Sequence, residues 1–172
     1  PMPIPLKKHL QELTKDELVE EVLKLAKKFK EVKSWYEMEL GDSRQQTALL
    51  DEVKAKIKKQ YFPSRGYGTP KAAVVRKLIS DFKKISVFPY DLIDLLLYRV
   101  EQAVAFTAAY GDIDERFYIA TETAYEEALK LVKAHGYETQ FRERCDEILL
   151  ATRHMGWGFY DTLKEITEEY LE

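Results

Sequence analysis

Residues 90–110 read YDLIDLLLYRVEQAVAFTAAY, residues 111–114 GDID, and residues 115–136 ERFYIATETAYEEALKLVKAHG. This stretch decides the fold. Leu92, Ile93, Leu95, Leu96, Leu97, Val100, Ala103, Val104, Phe106 and Ala109 cover most of a helical circumference, and a helix apolar nearly all round is one buried by neighbours on several sides. Asp94, Arg99 and Glu101 break the run far short of the roughly 20 apolar residues that a membrane span needs. Gly111 provides a stop where glycine alone turns left-handed cheaply. Asp112 and Glu115 have capping-box spacing, so a second helix is expected to open at Asp112. Ala120, Ala124, Ala128, Leu131 and Val132 give that helix one apolar stripe, and Gly136 closes it. The stretch is a helical hairpin.

The surrounding chain repeats this grammar. Thr14 and Glu17 form another capping box, opening a helix through Leu18, Val22, Leu25, Ala26 and Phe29 that continues or kinks toward Gly41. A brief helix over Leu6–Leu13 precedes it, after an extended lead-in at residues 1–5. Asp42 or Ser43 caps a helix carrying Leu49, Leu50, Val53, Ile57 and Tyr61. Thr69-Pro70 predicts the next start, with a hydroxyl cap and proline at the first helical position. Pro89 starts the central helix. Further helices are expected from about Thr139 and beyond Gly156-Trp157-Gly158. No segment alternates with a period of two, so no sheet is expected. The fold class is all-α, with about eight helices in antiparallel hairpins over a single domain, residues 1–172. The arrangement is a right-handed helical-repeat-like stack or, alternatively, a compact bundle.

Composition places the chain among ordinary globular proteins. Its 172 residues are 45% hydrophobic and 33% charged, enough to bury about 70% of the unfolded surface in one domain. A single cysteine, Cys145, excludes an internal disulfide framework and fits a reducing compartment. No charged-then-apolar leader and no apolar run of spanning length is present, so the expected location is the cytoplasm, without a membrane partner. The net charge of −3 is unevenly spread. Between Arg44 and Lys84 eleven basic residues face three acidic ones, a local +8 against −11 elsewhere. Such a split marks either a nucleic-acid footprint or a basic face paired with the acidic C-terminal third.

Three loops carry the candidate chemistry. In Phe62-Pro-Ser-Arg-Gly-Tyr-Gly68, glycines let backbone N–H groups approach an anion, Arg65 can fork onto a phosphate and Tyr67 can stack on a base. With Lys58 and Lys59, Arg65 makes up the candidate nucleic-acid contacts. Asp112, Asp114 and Glu115 cluster three carboxylates. The calcium-loop pattern fails there, because Arg116, Phe117 and Thr123 stand where it needs an oxygen ligand, a glycine and a glutamate. Helix capping explains the cluster instead. Trp157, between two glycines and followed by Asp161, reads either as a ring tucked under a neighbouring helix, expected to be mostly buried, or as a ligand platform. His9, His135 and His154 are scattered, and Cys145 sits on an apolar helix face. The chain is therefore assigned no catalytic residue, no metal ligand and no cofactor.

FPSRGYG, YGDIDERFY and GWGFYDTL, with LTKDEL near the start, resemble a family of small bacterial proteins known as domain-of-unknown-function family 6155, over nearly the whole chain and in the same order. The resemblance implies no activity, cofactor or catalytic residue. More loosely, the C-terminal third is similar to tetratricopeptide-type helical repeats, an analogy of fold alone. The leading functional reading is a non-enzymatic module for a protein or peptide partner, using Arg65, Tyr67, Asp112, Asp114, Glu115, Trp157 and Asp161. A nucleic-acid-binding protein using residues 44–84 is the alternative. An enzyme or ligand site formed by the loops comes third. The oligomeric state is left open.

Overall fold

The computed structural model describes residues 4–66 and 68–172, and the only regular elements among them are helices. In order these are α1 (Ile4–Glu12), α2 (Lys15–Lys28), α3 (Lys30–Leu40), α4 (Ser43–Tyr61), α5 (Ala72–Ile85), α6 (Pro89–Tyr110), α7 (Glu115–His135), α8 (Glu138–Thr152) and α9 (Phe159–Leu171). Ile4 and Pro5 are helical, which corrects the expected extended lead-in at those two positions; residues 1–3 lie outside the described residues.

Local chemistry sets most boundaries. Thr14 accepts from the Glu17 amide while Glu17 reaches back to the Thr14 amide, 2.7 Å away, completing the capping box. Asp42 caps α4 by accepting from the Gln45 amide at 3.0 Å. Pro89 opens α6 at a position where its missing N–H costs no helical bond. Gly111 ends α6 at φ 86°, a backbone that a Cβ disfavours. Two starts differ from the reading of the sequence. The α5 helix begins at Ala72 after Lys71, with no side-chain cap. Thr69 and Pro70 belong to the turn before it, where the Pro70 carbonyl accepts from the Ala72 amide at 3.1 Å. The α7 cap is Asp114, which accepts from the Phe117 amide at 2.8 Å, and Asp112 lies outside the helix. Phe29, in an extended conformation, divides α2 from α3.

The α6 helix is the axis of the body. Leu95, Leu97, Val100 and Ile93 are fully enclosed, because α4, α5, α7 and α8 all pack against it. Successive hairpins α4–α5, α6–α7 and α8–α9 lie side by side. Lys54, midway along α4, meets Asp94 near the start of α6, and Phe62, just past the end of α4, meets Tyr110 at the end of α6, so α4 and α6 run parallel. Tyr118 meets Phe159 and Tyr125 meets Thr167, so α7 and α9 do too. The C-terminal ends of α4, α6 and α8 and the N-terminal ends of α7 and α9 thus share one end of the molecule.

The α1 and α2 helices are different. No residue of α2 is buried; it packs against α3 and shares a groove with α1. No helix among the described residues is long and apolar enough to cross a membrane.

Candidate functional site

The three glycine-bearing loops gather over one aromatic layer. Phe62, just after α4, packs edge-on against Phe106 of α6 at 6.0 Å between ring centres. Phe106 meets Phe117 at 6.0 Å, Phe117 meets Tyr118 at 5.7 Å, and Tyr118 meets Phe159 at 4.7 Å. This series of rings runs from the first loop to the third. Aromatic pairs in such offset or edge-on geometry add about 0.5–1.5 kcal/mol each beyond simple burial, so the layer is a firm floor for the loops above.

Asp112 binds the second loop to the third. Its Oδ1 accepts from the Tyr118 hydroxyl and, at 3.3 Å, from the Gly156 amide. A Cβ on Gly156 would lie 2.7 Å from Asp112 Oδ2, so any other residue there would push the carboxylate out of place. Burial, followed by the hydrogen bond to the Asp112 carboxylate, pushes the Tyr118 phenol up to about 12. The capping role expected of Asp112 therefore falls to Asp114, and Asp112 bridges loops instead.

Trp157 overturns the expectation of a buried ring. Its indole is 62% exposed, and its backbone sits at φ 59°, the only non-glycine residue with positive φ among those described. Gly158 follows at φ 68°. Two successive left-handed residues turn the chain so that Phe159, not Trp157, enters the core, where it is 1% exposed. A large ring held outward on a backbone that costs about 1–2 kcal/mol is the unusual feature of this end.

The remaining candidates fall around it. Glu115 opens α7 and Asp161 lies in the first turn of α9, both exposed. Their helices stand side by side through the Tyr118–Phe159 contact. Arg65 is exposed in the first loop, and no ion pair joins it to Asp112, Asp114 or Glu115. Tyr67 lies outside the described residues. Lys58 and Lys59 are exposed in the last turn of α4. Elsewhere in the basic segment, Lys54, Lys56, Lys77, Lys83 and Lys84 are taken up by Asp94, Glu52, Asp81, Glu127 and Asp81. Among the described residues, no three His, Cys, Asp or Glu side chains gather as a metal site.

Several polar residues in the interior went unread in the sequence. Arg144 of α8 forks onto Glu101, with Nε–Oε1 at 2.5 Å and Nη2–Oε2 at 3.0 Å, and reaches Asp94 Oδ1 at 2.5 Å. Asp94 also receives Lys54 at 2.5 Å, and Lys54 lies over the Tyr98 ring. Burial opposes the charge on Arg144, but Glu101 and Asp94 outweigh it and raise its pKa. The group joins α4, α6 and α8 as a charge-balanced unit. Asp91, beside it, has a raised pKa because of burial and then the Asp94 charge. Arg99 is only 6% exposed, and it opposes the rise that burial imposes on the Tyr61 phenol. Spacing alone could not have paired residues as far apart as 94 and 144.

Fold and site together define an all-α protein whose one differentiated end is built from three loops and an outward tryptophan. The chain belongs to the Family of unknown function (DUF6155), whose model matches residues 4–171. No curated protein and no solved structure matches it.

Proposed function

We propose that this protein is a non-enzymatic, helical-repeat-like module that binds a protein or peptide partner at its three-loop end, in a reducing cytoplasmic setting. The single observation that carries the reading is Trp157, exposed on a left-handed backbone above a rigid aromatic floor. Tryptophan dominates binding hot spots because it offers a large rigid surface for little conformational entropy. A backbone strained at an exposed position is stable only where its surroundings hold it, and such strain gathers at functional sites. Side-by-side packing of the three hairpins supports the repeat-like description. The lone, sealed Cys145 supports the reducing compartment.

The test is selection of peptides from a random displayed library on the wild-type chain, with counter-selection on Trp157→Ala. Peptides that bind the parent and lose at least about tenfold in affinity on the variant are the expected result. A library that yields no Trp157-dependent binder would overturn the reading.

One observation favours the nucleic-acid alternative: Lys58, Lys59 and Arg65 remain exposed beside the same loop, while five other lysines of the segment are paired. A phosphate-tracking patch would make affinity fall steeply with salt. Replacing the three together would flatten that slope, whereas no binding at low salt removes this alternative.

A further inference from the structure

We infer that Tyr118 positions Trp157 for binding, a role that rests on the binding end proposed above. It grips both corners of the turn that carries the indole, so the turn is ordered before any partner arrives. The turn itself poses the problem. The Gly156 carbonyl accepts from the Phe159 amide at 3.2 Å, closing a four-residue turn over Trp157 and Gly158. Both central residues have positive φ, 59° and 68°. Turns of that hand are dominated by glycine, asparagine and aspartate, because a Cβ crowds the backbone there. A tryptophan at the first central position opposes the turn, so contacts from outside hold it in place.

Two contacts do so, and both lead to one side chain. At the first corner, the Tyr118 hydroxyl donates to Asp112 Oδ1, and the same oxygen accepts from the Gly156 amide at 3.3 Å. At the last corner, the Tyr118 ring lies 4.7 Å from that of Phe159, which is 1% exposed. Tyr118 is equally enclosed near the start of α7 and packs against Phe117. A buried ring on a packed helix has little room to move, so it fixes Asp112 and Phe159 relative to each other. Asp112 is exposed and lies outside any helix. Without the phenol, water would compete with the Gly156 amide for its carboxylate. Ordering a large side chain in advance removes a cost that binding would otherwise meet. It also sets the association rate, because only molecules with the turn in place are competent to bind.

Nitrogen-15 relaxation of the full chain, with no partner present, tests this at the Trp157 and Gly158 backbone amides. In the parent their order parameters should be about 0.85, those of a rigid backbone, and Tyr118→Phe and Asp112→Ala should each lower them below about 0.6. The two substitutions together should do no more than either alone. Asp112→Asn keeps an acceptor oxygen and should keep the turn rigid. Ile93→Val, at a fully enclosed site in the middle of the core, weakens the fold without touching the turn and should leave both amides as in the parent. For a Trp157-dependent peptide, Tyr118→Phe should slow association about fivefold, the worth of one hydrogen bond, with dissociation nearly unchanged. A parent already mobile at these amides overturns the inference. So do amides that stay rigid in Tyr118→Phe and Asp112→Ala, or an equal loss of order in Ile93→Val. Relaxation needs no partner, so a library without a Trp157-dependent peptide overturns the binding reading, whereas a turn indifferent to the Tyr118 hydroxyl overturns the positioning role.

Discussion

The α2 and α6 helices begin from similar grammar and end in opposite circumstances. The α2 helix has the more complete cap and a clean apolar stripe, yet buries no residue. The α6 helix has no side-chain cap, yet encloses eleven. Capping and periodicity decide whether a segment is helical and which face seeks cover. They do not say what provides the cover. For α6 the cover is four other helices of the same chain; α2 lies against α3 and keeps most of its stripe exposed.

The sharpest way to break this contrast is to remove the same group from both. Leu97→Ala, at a fully enclosed position, is expected to cost about 2–5 kcal/mol, whereas Leu23→Ala should cost under about 0.5 kcal/mol in dilute, monomeric protein. Denaturant unfolding of both variants checks it, and similar midpoints would mean that α2 is packed in solution. A smaller effect is expected from the charges that join α6 to its neighbours. Arg144→Met leaves Asp94 and Glu101 without their shared cation and should cost about 1–3 kcal/mol, less than for a fully buried pair because these side chains are 17–32% exposed. Adding Glu101→Gln should recover part of that loss. No recovery would mean that Arg144 acts through packing alone.

Next comes the bridge at the three-loop end. Asp112→Ala should cost about 0.5–2 kcal/mol through loss of its bonds to Tyr118 and Gly156. Gly156→Ala should destabilise similarly, which a simple helix cap at Asp112 would not produce. The Tyr118 phenol titrates later in the folded chain than in the unfolded one, where tyrosine loses its proton near pH 10. Its contribution is therefore whole below about pH 10 and is lost as pH climbs toward 12. Tyr118→Phe should flatten the alkaline fall in stability, and an unchanged profile would remove Tyr118 as its cause. The smallest effect has the opposite sign. Trp157→Gly should stabilise by up to about 1 kcal/mol, because glycine accepts the left-handed backbone and little packing is lost. A marked loss of stability would restore the core reading of that ring.

Where the sequence was legible, the chemistry was local. The Thr14 box, the Asp42 cap, Pro89 at the head of α6 and the Gly111 stop each rest on groups within a few residues of one another. Where it was not, a distant group decided the matter. Asp112 and Asp114 are both competent caps, and the Gly156 amide, far along the chain, claims the first. Thr69-Pro70 has the chemistry of a start, but α5 begins two residues beyond the proline. Trp157 has the bulk of a core residue, and its backbone conformation turns it outward. Tyr118 and Tyr125 carry polar tips that no local pattern pairs. Both are enclosed, because Asp112 and Thr167 satisfy their hydroxyls. The three-loop end could be named residue by residue, but its convergence follows from the parallel course of α4, α6 and α8, which no local motif encodes.

Cys145 gives the molecule one further property. The only sulfhydryl of the chain is fully enclosed, and burial pushes it up to about 11, so at neutral pH it presents neither thiolate nor access to an electrophile. The native protein is in effect blank to maleimide dyes. A cysteine placed at Glu115 would then be its single labelling point, and a fluorophore there would sit beside the outward indole and report occupancy of that end with no background from the wild-type thiol.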